Sequence, residues 1–493
     1  MILLAKNLSR EIPLNFIFAL FFFTALTGLQ SGHAQSPQND HSGQWDVHSP
    51  GGETSCADGT EFKYYTREGN PDKLLVYFTG GGACWTGEQC DTETDPTPYA
   101  YNLANNDPQN KKGIFNLSHP ENPFNDYTIV YAPTCTGDVV LGDSVATYHY
   151  QVEDEPEKTV TVHHKGYQNG RSVLNWVYEN VDKPETVVVS GSSAGGLATP
   201  FYANIIANYY PEARVIGIGD AAGAFRKSAT EKADLTSWNM EKTYENHDAF
   251  NNLSSQNIGI EKLYTSAANQ QLENLELYQV DQANDHVQRF FLRLAETEDP
   301  DISALIQKNR RDISDSDPEF QSFMVGGREH TVFNRSLFYS YRANGMLFRD
   351  WVKEILDGHS VESVHCQNCE RPDFRYTAAD QRIIEKVKNL LSGEEQWNSE
   401  DDFENNRDCS ESSESYSLRC SLVEATMDEE GGPGSFPVTY LFLYEIRDRI
   451  GAYDSDDRII VEFNNQDKRT FQDIKQLIEQ VENEIDTQLN IYK

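Results

Sequence analysis

Gly191-Ser192-Ser193-Ala194-Gly195 is the segment of this 493-residue chain whose residue types and spacing point most directly to chemistry. It follows the β-branched run Thr186-Val187-Val188-Val189 and precedes a stretch with Leu197, Phe201, Ile205, Ile206 and Tyr209 at helical spacing. A serine between two glycines, with a strand before it and a helix after it, is a nucleophile elbow. The backbone turns so sharply that a side chain at either flank would clash. The hydroxyl is pushed above the sheet edge, and the helix aims its N-terminus at the reacting oxygen. A structural turn would explain the glycines alone, but not the strand and helix around them. Ser193 holds the nucleophile register and Ser192 falls one place off it.

Such a serine needs an oxyanion hole, a base and an acid. Gly80-Gly81-Gly82 directly follows the apolar run Leu74–Phe78. Backbone N–H groups in that loop, with the N–H of Ala194, can stabilise a tetrahedral intermediate. The alternative is an ordinary glycine-rich turn. Of the twelve histidines, His330 stands out. Gln321–Val325 reads as a late strand, Gly326-Gly327 opens a loop, and in this fold the order is Ser, acid, His. His163, His164 and His286 are its rivals, and a lone histidine is commonly structural. The acid lies between 193 and 330; Asp220, Asp281 and Asp285 are candidates that spacing does not separate. The chemistry is acyl transfer through a covalent acyl-serine. It requires neither a metal nor an organic cofactor, and activity falls in acid as the base becomes protonated.

The elements that must position these groups alternate. Strands are predicted at Leu74–Phe78, Tyr127–Ala132, Thr186–Val189 and Val215–Ile218, and helices at Arg171–Val181 and Leu197–Tyr210. Alternation of this kind implies right-handed crossovers and a mostly parallel sheet flanked by helices, an α/β-hydrolase-like fold. Pro200 conflicts with the second helix, because proline is comfortable only in a first turn. The helix is therefore expected to start near Leu197 or to kink. Residues 35 to about 55 read as a loose lead-in. From about residue 375 the character changes: helices are predicted at Ala378–Leu391, Thr439–Ile450 and Thr470–Ile485, with a short extended run at Arg458–Phe463. The domains are thus 35–374, an esterase-type α/β domain, and 375–493, an acidic, mainly helical C-terminal domain.

Residues 1–34 have the form of a signal peptide: Lys6 and Arg10, an apolar run from Ile12 to Leu29, then Gly32-His33-Ala34. A membrane anchor is the rival, but Asn15, Thr24 and Thr27 interrupt the run. No later stretch is apolar enough to span a bilayer. The expectation is a secreted protein, extracellular or periplasmic, without membrane attachment after cleavage. The formal net charge of −37 repels phosphates and anionic lipid heads and excludes a nucleic-acid partner. It also makes a de-esterified pectate an awkward substrate unless a local basic cleft exists. The eight cysteines suit export. Cys84 with Cys90 and Cys409 with Cys420 are close enough to pair, and Cys56 with Cys135 would follow by elimination, though sequence does not fix connectivity. Cys366-Gln-Asn-Cys369 after His365 could be half a zinc site. No second half is evident, so a small disulfide loop is favoured.

Five motifs together resemble the pectin acetylesterase/Notum family. They are Gly80-Gly81-Gly82-Ala83-Cys84-Trp85, Cys135-Thr136-Gly137-Asp138, Gly191-Ser192-Ser193-Ala194-Gly195-Gly196, Asn284-Asp285-His286-Val287-Gln288 and Gly327-Arg328-Glu329-His330-Thr331. They stand in the family's order within about residues 52 to 372. The resemblance implies Ser193 as nucleophile, His330 as base and, from the Asp-x-x-Gln pattern, Asp285 as acid. It implies Gly81, Gly82 and Ala194 as the oxyanion hole, and structural disulfides among Cys56, Cys84, Cys90 and Cys135. The substrate it implies is an acylated carbohydrate, such as acetylated pectin, or another ester, with a lipidated protein as the second choice. Gly82 stands where Notum has tryptophan, and Asn284 where tyrosine is often found. Both departures bear on acyl preference rather than on reaction type. Loss of a triad member would mark a silent secreted binding protein, but all three positions are filled. Residues 377–486 are weakly similar to a small bacterial helical module through Cys409, Cys420-Ser421-Leu422 and Glu462-Phe463-Asn464-Asn465, which implies no activity. A glycan or surface contact is the role considered for this region.

Overall fold

Runs of β-branched and aromatic residues that are buried on both faces build the centre of this molecule. The computed structural model describes residues 44–493 except 95, 105, 154–155, 402–408, 410–413, 428, 430–433, 452–457 and 492–493. The leader read at 1–34 lies outside the described residues. Strands β1 to β4 are Asp46–His48, Tyr64–Arg67, Asn70–Phe78 and Tyr127–Ala132. β5 and β6, Ser144–Tyr150 and Lys158–His164, form a separate antiparallel hairpin. β7 to β10 are Thr186–Ser192, Arg214–Asp220, Leu275–Gln282 and Gln321–Val325. β11 to β14 are short: Tyr341–Ala343, Met346–Leu347, Val364–His365 and Asp373–Phe374.

The main sheet has the order β1-β2-β4-β3-β7-β8-β9-β10-β13. It is parallel from β4 to β13, and β1 and β2 join antiparallel. This is the α/β-hydrolase-like arrangement that the alternating elements predict. Successive side chains on a strand point to opposite faces, so each strand feeds two cores. On one face, Leu74, Val76, Val187, Val189 and Val215 pack against Val173 and Val177 of helix Gly166–Asn180 and against Phe201 and Ile206 of helix Ala194–Tyr209. On the other, Leu75, Tyr77, Val188, Ile216 and Phe323 meet Phe348 and Trp351 of helix Phe348–Leu356.

Three expectations are corrected. From residue 44 the lead-in is not loose: β1 pairs with β2 and extends the sheet. The helix after Ser193 begins at Ala194, not Leu197, so Pro200 stands in its second turn. Pro200 has no N–H to donate to the Gly196 carbonyl, so the helical ladder lacks one bond there. Residues 459–464 are helical rather than extended. Their run is too short for period to separate the two states. Packing decides: Ile459, Ile460 and Phe463, on one helical face, enter the C-terminal core.

That core belongs to the helical C-terminal region: Ala378–Leu390, Leu418–Thr426, Pro437–Ile450, Ile459–Asn464 and Phe471–Ile491. Ile383, Val387, Phe442, Ile446, Leu477 and Val481 lie in it. Thr377 starts the first helix with a capping box to Asp380. Four disulfides join Cys56 to Cys135, Cys84 to Cys90, Cys366 to Cys369 and Cys409 to Cys420. Such bonds persist in oxidising compartments. Among the described residues no helix is long and apolar enough to cross a membrane.

Candidate active site

The C-terminal ends of β3, β7, β8, β9 and β10 carry the glycine loop, Ser193, Asp220, Asp285 and His330 in turn. Loops at the carboxyl ends of parallel strands are where such sheets form sites. At the end of β7 the chain reverses through Ser193, whose φ of 55° and ψ of −117° are costly for a residue with a side chain. The elbow fits only because of its glycines. A Cβ on Gly195 would lie 2.1 Å from the Phe78 carbonyl oxygen, and one on Gly191 2.5 Å from Gly195. The Ser193 N–H donates to the Asp220 carbonyl at 2.7 Å, tying the elbow to the end of β8.

The loop after β3 runs against this serine: a Cβ on Gly80 would meet Ser193 Cβ at 3.0 Å. Gly82 has φ +68°, and a Cβ there would stand 2.1 Å from the Pro98 carbonyl. No side chain, tryptophan included, fits Gly82 in this backbone. The Gly81 carbonyl accepts the Ala100 N–H at 2.7 Å, which fixes the loop. Ala194 is the first helical residue, so its N–H has no acceptor within the helix. It therefore remains available to a ligand.

Asp285 caps the helix His286–Leu294, and its Oδ1 accepts the Val287 and Gln288 N–H groups at 2.9 and 3.0 Å. Its Oδ2 accepts Gln288 Nε2–H at 3.1 Å and His330 Nδ1–H at 2.7 Å. The carboxylate is fully buried and the His330 side chain is 11% exposed. With Nδ1 committed to the carboxylate, Nε2 is left as the atom that can take a proton. No hydrogen bond joins Ser193 Oγ to His330 among the described residues; resting sites often tighten only with substrate.

The other two aspartates do different work. Asp220 accepts Ser192 Oγ–H at 2.8 Å and, through the same Oδ2, the Val332 and Phe333 N–H groups at 2.9 and 3.1 Å. It binds the elbow to the chain just beyond His330. Burial raises its pKa against these donors. Asp281 pairs with Arg310 at 3.2 Å and accepts the Gly223 N–H at 2.8 Å; burial pushes it up to about 6, opposed by Arg310. The rival histidines go elsewhere. His164 is buried between Tyr148 OH and the Thr136 carbonyl, His163 lies beside Gly59, and His286 Nδ1 faces the Arg328 carbonyl.

A cavity of about 90 Å³ lies beside Ser193, lined by Trp85, Leu197, Phe225, Leu235, Trp238 and Phe291 together with Gly82 and Ala194. The sequence names Trp85 within the glycine-loop motif and Leu197 on the helix after the elbow, but gives neither a wall role, and Phe225, Leu235, Trp238 and Phe291 come from separate segments without a shared motif. Cys84, Cys90 and His164 come together, but both sulfurs are in a disulfide and offer no thiolate to a metal. The Cys366–Cys369 disulfide removes the half zinc site in the same way.

The family model described as Pectinacetylesterase matches residues 46–309. The chain belongs to the pectinacetylesterase family. This is a carboxylesterase family. The matched residues include Ser193 and Asp285 and end before His330. Among curated relatives, palmitoleoyl-protein carboxylesterase notum1' of Xenopus laevis is 27% identical over 191 residues, 37% of each chain. Palmitoleoyl-protein carboxylesterase notum2 of the same animal is 29% identical over 152 residues, 29% of this chain and 28% of its own. Notum1a of Danio rerio is 28% identical over 146 residues, 29% and 27% respectively. The chain thus spans between 27% and 37% of the length of these relatives.

Proposed function

We propose that this pectinacetylesterase-family member is an exported serine carboxylesterase that removes O-acyl groups through Ser193, His330 and Asp285. His330 Nε2 takes the Ser193 proton while Asp285 holds Nδ1. Ser193 Oγ attacks the ester carbonyl, and the N–H groups of Gly81, Gly82 and Ala194 receive the oxyanion. The alcohol leaves with the proton, and water releases the acid by the same route. The observation that carries this reading is the 2.7 Å His330–Asp285 hydrogen bond at the ends of the two strands that follow the strained Ser193 elbow and β8. Export rests on the signal-like residues 1–34 and the four disulfides. Residues 375–493 are proposed to be a separate domain by composition, with a glycan or surface contact as its candidate role.

The acyl group is proposed to be acetyl on a polysaccharide such as pectin, by family. The cavity supports a second reading. Its walls are almost wholly apolar, and a longer acyl chain, as on a lipidated protein, would bury more surface there at about 25 cal/mol per Å². Hydrolysis of p-nitrophenyl esters from acetyl to palmitoyl tests both. Wild type is expected to turn over, and Ser193→Ala to lose about four orders of magnitude or more. Inert wild type would leave the silent binding protein as the reading to pursue, and an active Ser193→Ala would overturn Ser193 as the nucleophile. A maximum at acetyl favours the polysaccharide, and one at longer chains favours the lipidated substrate.

A further inference from the structure

The loop that carries His330 is held on one side by the helical C-terminal region. Helix Pro437–Ile450 lies far outside the matched family residues, and its Tyr444 is only 3% exposed. The Tyr444 oxygen accepts the Arg328 N–H at 2.8 Å and donates to the Glu329 carboxylate at 3.0 and 3.1 Å. These are the two residues immediately before His330. One turn on, Arg447 Nη1 lies 4.0 Å from the same carboxylate.

The preceding residues are shaped around this contact. Gly327 has φ +98°, and a Cβ there would come within 2.7 Å of the Tyr444 oxygen. Its N–H donates to the Cys369 carbonyl at 3.0 Å, and the same carbonyl receives Asn284 Nδ2–H, next to Asp285, at 3.0 Å. Two residues beyond Cys369, Arg371 reaches back to the helix, to Glu445 at 2.6 Å and Asp448 at 3.0 Å. On the far side of His330, Asp220 fixes Val332 and Phe333. The helix therefore grips the loop through a hydroxyl that meets both its backbone and the Glu329 carboxylate.

We infer that the C-terminal helical region is part of the catalytic apparatus, with Tyr444 as a positioning residue that sets His330 for its work on Ser193. This rests on the serine-esterase reading above. Errors of about 1 Å in placing a catalytic group can cost about a hundredfold in rate. A loop released at Arg328 and Glu329 has room for such an error.

The test uses the full chain and a fluorophosphonate probe, which reacts with an activated serine whatever the natural ester. Tyr444→Phe keeps the ring and removes the hydroxyl. Expected results are a labelling rate at Ser193 lowered about tenfold or more, and a kcat on p-nitrophenyl ester lowered to match with KM unchanged. In a His330→Ala background, where labelling is slow, Tyr444→Phe is expected to have no further effect, because its action passes through His330. A rate unchanged in the single variant, or lowered equally in both backgrounds, overturns the inference. Failure of wild type to label at Ser193 instead overturns the serine-esterase reading itself. Should Tyr444→Phe not fold, Arg371→Gln breaks the helix's other hold on this segment, and the same comparison with and without His330 decides.

Discussion

Three fully buried aspartates stand at or just beyond the ends of β8 and β9, and each is bound to something different. Only Asp285 meets an imidazole; Asp281 meets a guanidinium, and Asp220 meets a serine hydroxyl and two backbone amides. Nothing in their sequence positions separates these roles, and the family motif alone singled out Asp285. Substitution should separate them kinetically. Asp285→Asn leaves His330 in the wrong tautomer, and kcat should fall by about four orders of magnitude. Asp220→Asn puts an amide where three donors converge, so the elbow and the His330 loop should lose their common anchor. The expected cost is about 1–3 kcal/mol of stability and about 10- to 100-fold in kcat, with KM little changed. Steady-state kinetics on one ester, with denaturant melts of both variants, checks the pair. A benign Asp285→Asn beside a dead Asp220→Asn would transfer the acid role to Asp220. Ser193, by contrast, was legible from sequence, because its glycine flanks answer a local steric demand: Cβ contacts of 2.1 and 2.5 Å.

Among the elements, those whose period and burial agree were legible. The Leu74–Phe78 half of β3, with β4, β7 and β8, is rich in buried apolar residues, and the helix Gly166–Asn180 buries Val173, Leu174 and Val177. The short segment at 459–464 and the edge strand β1 were not legible, since tertiary packing and sheet pairing decide them. Nor was the β5–β6 hairpin, which ends on His164. Its imidazole donates Nδ1–H to the Thr136 carbonyl at 2.9 Å and accepts Tyr148 O–H at Nε2 at 2.8 Å, so both nitrogens suit the neutral ring. Burial lowers its pKa from 6.5 to about 4. A depressed pKa means the unfolded chain binds the proton more readily. The stability it protects is present above pH 6.5 and lost as pH falls towards 4, on the order of 3 kcal/mol. Asp138, bonded to the Thr136 hydroxyl, works in the opposite sense: burial raises it to about 6, so its contribution is present in acid and lost as pH rises. The wild-type profile mixes the two. The difference between wild type and His164→Gln isolates the histidine. It should be largest near pH 7 and shrink by pH 4 in urea melts. A difference independent of pH would mean that His164 contributes packing alone.

For the molecule as a whole, charge is the dominant property that composition makes legible: 78 acidic residues against 41 Lys and Arg. The consequence for substrate depends on whether a local basic cleft offsets it at the site, which sequence could not show. The described lining of the cavity holds no Lys or Arg; Lys232, Arg289 and Arg293 stand on segments that also supply the wall residues Thr230, Ala233, Phe291 and Ala295. Lys232 meets Glu296 at 3.3 Å, Arg289 meets Asp299 at 3.8 Å, and Arg293 meets the same Asp299 at 4.0 Å. These pairs set two carboxylates against three cations, so what stays uncompensated is small beside the net charge of −37, and a polyanionic substrate meets the field of the whole acidic surface. Its approach should be opposed over about 10 Å at 0.1 M salt and over about 3 Å at 1 M. The KM for acetylated polygalacturonate should therefore fall severalfold between low salt and 1 M sodium chloride, while the KM for neutral p-nitrophenyl acetate stays level. Parallel initial-rate series on the two substrates check this. A KM for the polyanion that rises with salt would reveal an attractive site, and the argument from net charge would then give way to a basic track elsewhere on the surface. Equal salt responses for both substrates would mean that salt acts on the enzyme rather than on the encounter.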